Sequence, residues 1–95
     1  MNMHNPPHPG EFITEAYLEP NGVSGRELAQ ALRVSPSTLS RVLNGSSRVT
    51  PDMALRLSVA LGRSAESWLA MQDAYDLWNA RESFDESSVG KLALA

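Results

Sequence analysis

The sequence contains no cysteine, which excludes a disulfide framework and a thiolate metal site. It also lacks any apolar run near the roughly eighteen residues that a membrane-spanning helix needs. The first eight residues carry neither the positive charge nor the apolar stretch of a signal peptide. Since 95 residues suffice for one small domain with a modest core, we expect a single-domain cytoplasmic protein without membrane contact.

Catalytic and cofactor motifs are absent as well. The two histidines, His4 and His8, flank Pro6 and Pro7, and a His-x-x-x-His pair binds a metal well only on a helix. No histidine falls in a segment predicted to pack, where it could activate a serine, and no glycine-rich phosphate loop is present. We therefore predict no enzymatic activity, no cofactor and no metal site.

Strand-like alternation and internal repeats are also missing, and helix start and stop signals divide the chain into five helices. In the first helix, Ile13, Ala16 and Tyr17 are predicted to face inward, and Pro20 is predicted to stop the helix. Residues 1–7 are predicted to form a flexible lead-in, residues 8–81 the helical domain and residues 82–95 a polar tail. The helices are predicted to begin after His8, Ser24, Ser35, Thr50 and Ser64.

The most informative pattern lies in residues 24–45. Ser24 and Glu27 form a capping box for one short helix, and Ser35 with Pro36 begins a second helix after a turn of about three residues. Two short amphipathic helices joined by so tight a turn are typical of a helix-turn-helix, whose second helix enters the DNA major groove. An ordinary helical hairpin in an all-α protein has the same spacing and remains an alternative.

The outer face of the second motif helix carries the groups that recognition in the groove requires. Arginine can donate two hydrogen bonds to guanine, and serine and threonine hydroxyls can bond to bases or phosphates. The loop that follows is predicted to lie near the DNA backbone. The predicted DNA-binding residues are Arg26, Pro36, Ser37, Thr38, Ser40, Arg41, Asn44 and Arg48.

Charge is distributed unevenly, although the net charge is only −3. Residues 1–23 contain three glutamates and no Lys or Arg, residues 24–63 six arginines against two acidic residues, and residues 64–95 two basic residues against six acidic ones. The three blocks therefore carry −3, +4 and −4. A basic middle indicates a nucleic acid partner, and acidic ends indicate a cationic one, although charged clusters are more often simply solvated.

The fifth predicted helix has apolar residues on nearly every side, which a chain this short cannot cover alone. A second copy of the protein would cover them, and packing under residues 82–95 is the alternative. The predicted dimerisation residues are Trp68, Met71, Tyr75 and Trp78.

Four parts of the chain carry distinctive strings. They are His8-Pro9-Gly10-Glu11, the segment from Glu27-Leu28-Ala29 to Asn44-Gly45, Ala54-Leu55-Arg56-Leu57 with Ala60-Leu61-Gly62, and Trp68-Leu69-x-x-Gln72-x-x-Tyr75-Asp76-Leu77-Trp78. These strings resemble the HigA-type antitoxins, a family within the Cro/CI-type helix-turn-helix class. The likeness covers residues 8–81, and its most specific part is the last string. The resemblance implies a five-helix, all-α, Cro/CI repressor-like fold. It also implies a dimeric antitoxin that binds double-stranded operator DNA, represses its own operon and neutralises a RelE-like toxin that cleaves messenger RNA.

Two places depart from the family pattern. Arg33 occupies a turn position that often holds glycine, and a left-handed non-glycine residue costs about 1 kcal/mol, so the turn is either slightly strained or differently shaped. Gly25 and Pro36 with Ser37 stand where the class often places glutamines, so DNA binding must depend more on Arg41 and Arg48. A regulator without a toxin, or a protein-interaction module that has lost DNA binding, are the alternatives.

Glu11, Glu15 and Glu19 recur every four residues along the first helix. Like charges at this spacing repel by a few tenths of a kcal/mol, a cost that a cationic partner would offset. RNA-cleaving proteins must hold a polyanion, so we predict that these three glutamates bind the toxin. A solvated face that aids solubility is the alternative.

Overall fold

The computed structural model describes residues 5–94, which form helices and contain no β-strand. Helix α1 has three consecutive stretches, α-helical Pro9–Ile13, π-helical Thr14–Leu18 and α-helical Glu19–Asn21. It is followed by α2 (Gly25–Leu32), α3 (Pro36–Leu43), α4 (Pro51–Leu61), α5 (Ala65–Ser83) and a single 3₁₀ turn, Glu86–Ser88. This arrangement confirms the predicted five-helix, all-α fold. None of the described helices is both long enough and apolar enough to cross a membrane.

Each helix begins at its predicted capping residue. The Ser24 hydroxyl accepts the Glu27 backbone N–H at 3.1 Å, and the Glu27 carboxylate accepts the Ser24 N–H at 2.8 Å, which completes the capping box. The His8 ring nitrogen Nδ1 accepts the Gly10 N–H at 2.9 Å and caps α1 in the same way. These bonds satisfy backbone donors that have no partner inside the helix. The remaining helices are capped by the side chains of Ser35, Thr50 and Ser64.

Helices α1 to α5 share one hydrophobic core. Its largest fully buried side chain is Trp68, whose ring lies 6.0 Å from that of Phe12 and 6.1 Å from that of Tyr17. The Arg63 guanidinium stacks over the Phe12 ring at 5.2 Å and so covers the edge of this aromatic group. The buried apolar residues are Ile13, Leu18, Leu28, Ala29, Leu32, Leu39, Val42, Val49, Met53, Ala54, Leu57 and Trp68.

The first helix differs from its prediction in two respects. Ala16 is exposed, and Leu18 is buried in its place, because the π-helical turn widens the helix and shifts the inward face by one residue. Pro20 does not stop the helix, which continues to Asn21. In a regular α-helix the Pro20 ring would collide with the carbonyl four residues earlier, and the wider turn before it relieves that clash. The helix ends at Gly22, whose φ of 63° is left-handed.

Helix α1 approaches the end of α3 so closely that position 10 has no room for a side chain. A Cβ atom on Gly10 would overlap the Val42 carbonyl oxygen and lie 2.7 Å from the Leu43 Cα. Glycine is therefore required at this crossing, and the contact fixes the end of α3 against the start of α1.

The C-terminal part of the chain leaves the core. Every described residue from Asn79 onward is exposed, including the last turn of α5 and the 3₁₀ turn. The division into a lead-in, a helical domain and a tail remains a prediction, and residues 1–4 of the lead-in lie outside the described part of the chain.

Candidate nucleic-acid interface

Helix α3 separates its apolar and polar residues cleanly. Leu39 and Val42 are buried, whereas Pro36, Ser37, Ser40, Arg41 and Asn44 are exposed and Thr38 is half-buried. The two buried residues are three apart, so they anchor one side of the helix and leave the opposite side free. The structure thus brings the predicted groove-facing side chains together on one surface.

Two side chains on this surface are already oriented by neighbours. The Thr38 hydroxyl oxygen accepts a hydrogen bond from Ser35 Oγ at 2.8 Å, which leaves its own hydrogen free to donate. Asn44 Oδ1 accepts both the backbone N–H of Ser46 at 2.9 Å and the Ser46 hydroxyl at 2.6 Å. The Asn44 amide therefore has only donors left. Donors suit the acceptor-rich phosphates and guanine edges of DNA.

Arg26 and Arg41 supply the positive charge of this surface. Both are exposed, and neither forms an ion pair within residues 5–94. Arg26 lies in the first turn of α2 and, together with Pro36 and Ser40, lines a groove of about 260 Å³ between α2 and α3. Its guanidinium therefore extends the polar surface of α3 rather than forming a separate one.

The turn of the motif adopts the left-handed conformation expected at Arg33, with φ of 60°. Arg33 donates its backbone N–H to Gln30 at 3.2 Å, and Val34 donates to Ala29 at 3.1 Å, so two carbonyls at the end of α2 are satisfied. Arg33 is the only non-glycine residue with positive φ in the described chain. Its strain, about 1 kcal/mol, is offset by these turn-closing bonds.

Arg48 has a different environment. Its Nη2 atom lies 2.7 Å from Asp76 Oδ2 and 3.5 Å from Asp73 Oδ1, and both carboxylates belong to α5. The hydrogen bond to Asp76 raises the pKa of Arg48. Burial opposes ionisation of the Asp76 carboxyl, but hydrogen bonds from Arg48 and Gln72 outweigh it and hold the pKa of Asp76 below its ordinary value. The predicted phosphate-binding arginine is thus paired within its own chain.

A buried glutamine continues this network. Gln72 is 1% exposed; its Oε1 accepts the Val49 backbone N–H at 2.7 Å, and its Nε2 donates to Asp76 Oδ1 at 2.9 Å. Gln72 thereby holds the loop that follows α3 against α5. From the sequence, Gln72 was predicted only as part of a family string, and Asp76 only as part of that string and of an alternative toxin site. Their spacing of four residues, which puts both on one side of a helix, was the available signal.

His8 corrects the prediction that no histidine lies in a packed segment. It is 7% exposed, and its ring stands edge-on to Tyr75 of α5 at 4.9 Å. Burial lowers the pKa of His8 below its ordinary value, against the opposing effects of Asp76, the Ser47 backbone and Glu11. As Nδ1 accepts the Gly10 N–H, the neutral ring is the form that caps α1. His4 lies outside the described residues.

The predicted dimerisation residues have unequal exposure. Trp68 is 0% exposed within a single chain, so it has no surface to offer a second copy, and its assignment to an interface is corrected to a core role. Met71, Tyr75 and Trp78 are half-buried, and Leu77 beside them is 49% exposed. Within α5, the uncovered apolar surface therefore lies mainly beyond Trp68.

Glu11, Glu15 and Glu19 are all exposed on α1. None of the three forms an ion pair with another described residue. The acidic surface therefore exists, on a helix separate from the polar side of α3.

Comparison with known proteins gives consistent matches. The helix-turn-helix family matches residues 15–68. An uncharacterised helix-turn-helix transcriptional regulator of Escherichia coli, YddM, is 45% identical over 97% of this chain and 97% of its own length. Antitoxin HigA-1 of Vibrio cholerae is 38% identical over 83% of this chain and 74% of its own length.

Solved structures agree with these relatives. The antitoxin GraA is 40% identical, with a TM-score of 0.87 over 96% of this chain and all of its own. GraA in complex with its operator is also similar, with a TM-score of 0.86, 37% identity and coverage of 99% of this chain and 98% of its own.

Proposed function

The chain belongs to the HigA-type antitoxin family of helix-turn-helix proteins, and on this basis we propose that it is the antitoxin of a toxin-antitoxin system. In this proposal it binds operator DNA as a homodimer, represses its own operon and neutralises a RelE-like toxin that cleaves messenger RNA. Binding to chromosomal DNA would place it in the cytoplasm.

The observation that carries the DNA-binding proposal is the outer face of α3. Arg41 is exposed and unpaired within the described chain, Asn44 Oδ1 already accepts two hydrogen bonds, and the Thr38 hydroxyl accepts one and keeps its hydrogen to donate. A surface that offers mainly donors is suited to phosphates and to guanine, and unsuited to a cationic ligand. The similar structure of GraA with its operator supports the same partner class.

Replacement of Arg41 by alanine tests this assignment. We expect Arg41→Ala to lose about 1–3 kcal/mol of preference for its own upstream region over random DNA, the value of one good bidentate base contact. Fluorescence anisotropy with both duplexes at several salt concentrations measures this preference. A wild-type ratio in the variant would remove Arg41 from base recognition, and a wild-type protein that binds neither duplex would favour the protein-interaction module.

The toxin proposal is supported by the exposed glutamates of α1. Electrostatic complementarity mainly accelerates association, so Glu11→Gln/Glu15→Gln/Glu19→Gln should slow capture of a basic ribonuclease encoded beside this gene. The salt dependence of the on-rate should fall in parallel, while operator binding is kept or slightly strengthened. An unchanged on-rate at low salt would move the toxin site away from α1, to Asp73, Asp76 and the acidic tail.

The homodimer proposal is supported by the uncovered apolar surface near Trp78 and Leu77 on α5. Two copies would set two recognition helices about 34 Å apart, one turn of DNA, on a palindromic operator. Analytical ultracentrifugation at micromolar concentration tests this assembly. A monomer under those conditions would remove both the dimer and the palindrome.

A further inference from the structure

The ion-pair network between the loop after α3 and helix α5 brings a candidate phosphate contact under the control of two carboxylates. Arg48 lies between Asp76, at 2.7 Å, and Asp73, at 3.5 Å, and the same Nη2 atom faces both. One guanidinium with two carboxylates leaves a local charge of −1. A DNA phosphate that approaches Arg48 therefore meets net repulsion before it meets a cation.

The two carboxylates have different roles in this arrangement. Asp76 is held by hydrogen bonds from both Arg48 and the buried Gln72, so it is part of the structure that fixes the loop. Asp73 forms only the longer contact to Arg48, and its side chain is 75% exposed. Asp73 therefore contributes negative charge at Arg48 with little effect on the position of the loop.

We propose that Asp73 is an electrostatic brake on DNA binding, which adds a second negative charge beside the Arg48–Asp76 pair and limits the affinity for every DNA sequence. The inference rests on the proposed DNA-binding function and assigns to α5 a part in it. Asp76 positions and neutralises Arg48, and Asp73 makes the local charge that an approaching phosphate meets negative.

The brake acts without sequence preference, because phosphate contacts do not distinguish bases. Asp73→Asn should tighten binding to the upstream region and to random DNA alike, by about two- to fivefold at low salt, the range that exposed ion pairs of this kind supply. The logarithmic salt dependence should become steeper by up to about 0.9, the increment for one additional phosphate neutralised.

The matched control is Glu82→Gln, which makes the same charge change on the same helix. Glu82 lies six residues beyond Asp76, about 9 Å along the helix axis, and is exposed. A double-mutant cycle adds Arg48→Ala and Asp73→Asn/Arg48→Ala. If Asp73 acts through Arg48, the gain from Asp73→Asn disappears when Arg48 is absent.

Anisotropy titrations of the full chain against both duplexes, at about 50 and 200 mM salt, separate the outcomes. A gain from Asp73→Asn that exceeds that of Glu82→Gln and requires Arg48 supports the brake. Equal gains from the two variants, or a gain that survives Arg48→Ala, overturn it while the DNA-binding function stands. Absence of any DNA binding by the wild-type protein overturns the proposed function itself, and the brake with it.

Discussion

Helices α3 and α5 differ in how their residues are divided between the buried core and the exposed surface. Helix α3 has eight residues and two sides, one buried through Leu39 and Val42 and one polar and exposed. Helix α5 has nineteen residues, yet it buries only Trp68 and Gln72. Along one side of this helix, Trp68 enters the core, Gln72 holds the loop after α3, and Tyr75 packs on His8.

This difference shows why amphipathic patterning identifies one helix and not the other. A helix with a single neighbour and solvent opposite has one apolar stripe. Helix α5 has the polar residues Gln72 and Asp76 on its inner side and exposed apolar residues such as Leu77 on the opposite side, so its sequence shows no such stripe. The apolar residues scattered around α5 are therefore only partly available to a second copy.

The largest predicted effect is a loss of stability, and it should differ between the part of α5 that contains Trp68 and the part that contains Trp78. Trp68→Ala removes a fully buried indole, and we expect it to lower the free energy of unfolding by about 3–5 kcal/mol. Trp78→Ala, at protein concentrations low enough for the monomer, should cost less than about 1 kcal/mol because its ring is only half-buried. Urea unfolding followed by circular dichroism measures both. Equal losses would show that α5 is packed along its whole length.

The next effect concerns the contact between α5 and the loop that follows α3. Gln72→Leu leaves the buried Val49 N–H without an acceptor, and we expect a loss of about 1–3 kcal/mol. Hydrogen exchange of the Val49 amide is the local measurement, and its protection should fall more than that of the α4 amides. Asp76→Asn is the control, because it keeps the Gln72–Val49 bond. Normal Val49 protection in Gln72→Leu would contradict the role given to this glutamine.

A smaller loss of stability is expected when the capping serine of either α3 or α5 is removed, and the two variants can be compared directly. Ser35 caps α3 and Ser64 caps α5, so Ser35→Ala and Ser64→Ala should each cost about 1 kcal/mol of stability. Only Ser35→Ala should also weaken operator binding, because Ser35 orients the Thr38 hydroxyl. Thermal melts with parallel anisotropy titrations test both statements. A weakening of operator binding by Ser64→Ala of similar size would remove the distinction between the two helices.

The smallest predicted effect is a pH dependence of the free energy of unfolding. It arises from His8, which caps α1 and packs against Tyr75 of α5. Because the pKa of His8 is lowered on folding, the stability it contributes is complete above about pH 6.5 and is lost as the pH falls toward the folded value. Asp76, whose pKa is lowered from about 3.8, loses its contribution in a separate and more acidic range.

His8→Asn keeps a capping side chain and removes this titration. Its free energy of unfolding should therefore change less than that of the wild type between about pH 7 and pH 5. Urea midpoints across this range give the comparison. Parallel curves for the two proteins would show that His8 is not the titrating group.

Local patterns predicted the parts of the fold that depend on neighbours in sequence. The caps at Ser24 and Ser35 and the left-handed Arg33 lie within a few residues of their partners. The bonds of Arg48 and Val49 to α5 span 28 and 23 residues, and no local periodicity encodes such pairings. For the same reason the sequence predicted the polar surface of α3 but did not predict the pairing of Arg48 with the carboxylates of α5.

The close crossing of α1 and α3 at Gly10 and the π-helical turn of α1 were not predicted from the sequence, for a related reason. The need for glycine at position 10 arises from the backbone of α3, and the π-helical turn directly precedes Pro20 in the same helix. Glycine and proline are both poor helix formers, but propensity alone does not show that one permits a close crossing and that the other follows a wider turn. Both become evident only when the helices are assembled.

The π-helical turn of α1 can also be described as an insertion of one residue into a helix. Its Glu19 N–H bonds to the carbonyl of Thr14, five residues earlier, where an α-helix would count four. Deletion of the exposed Ala16 would convert this stretch to a regular α-helix with bonds to the fourth residue back. The Pro20 ring would then collide with the backbone carbonyl one turn before it. The length of α1 and the proline near its end are therefore structurally coupled, since the extra residue keeps the Pro20 ring clear of the preceding turn.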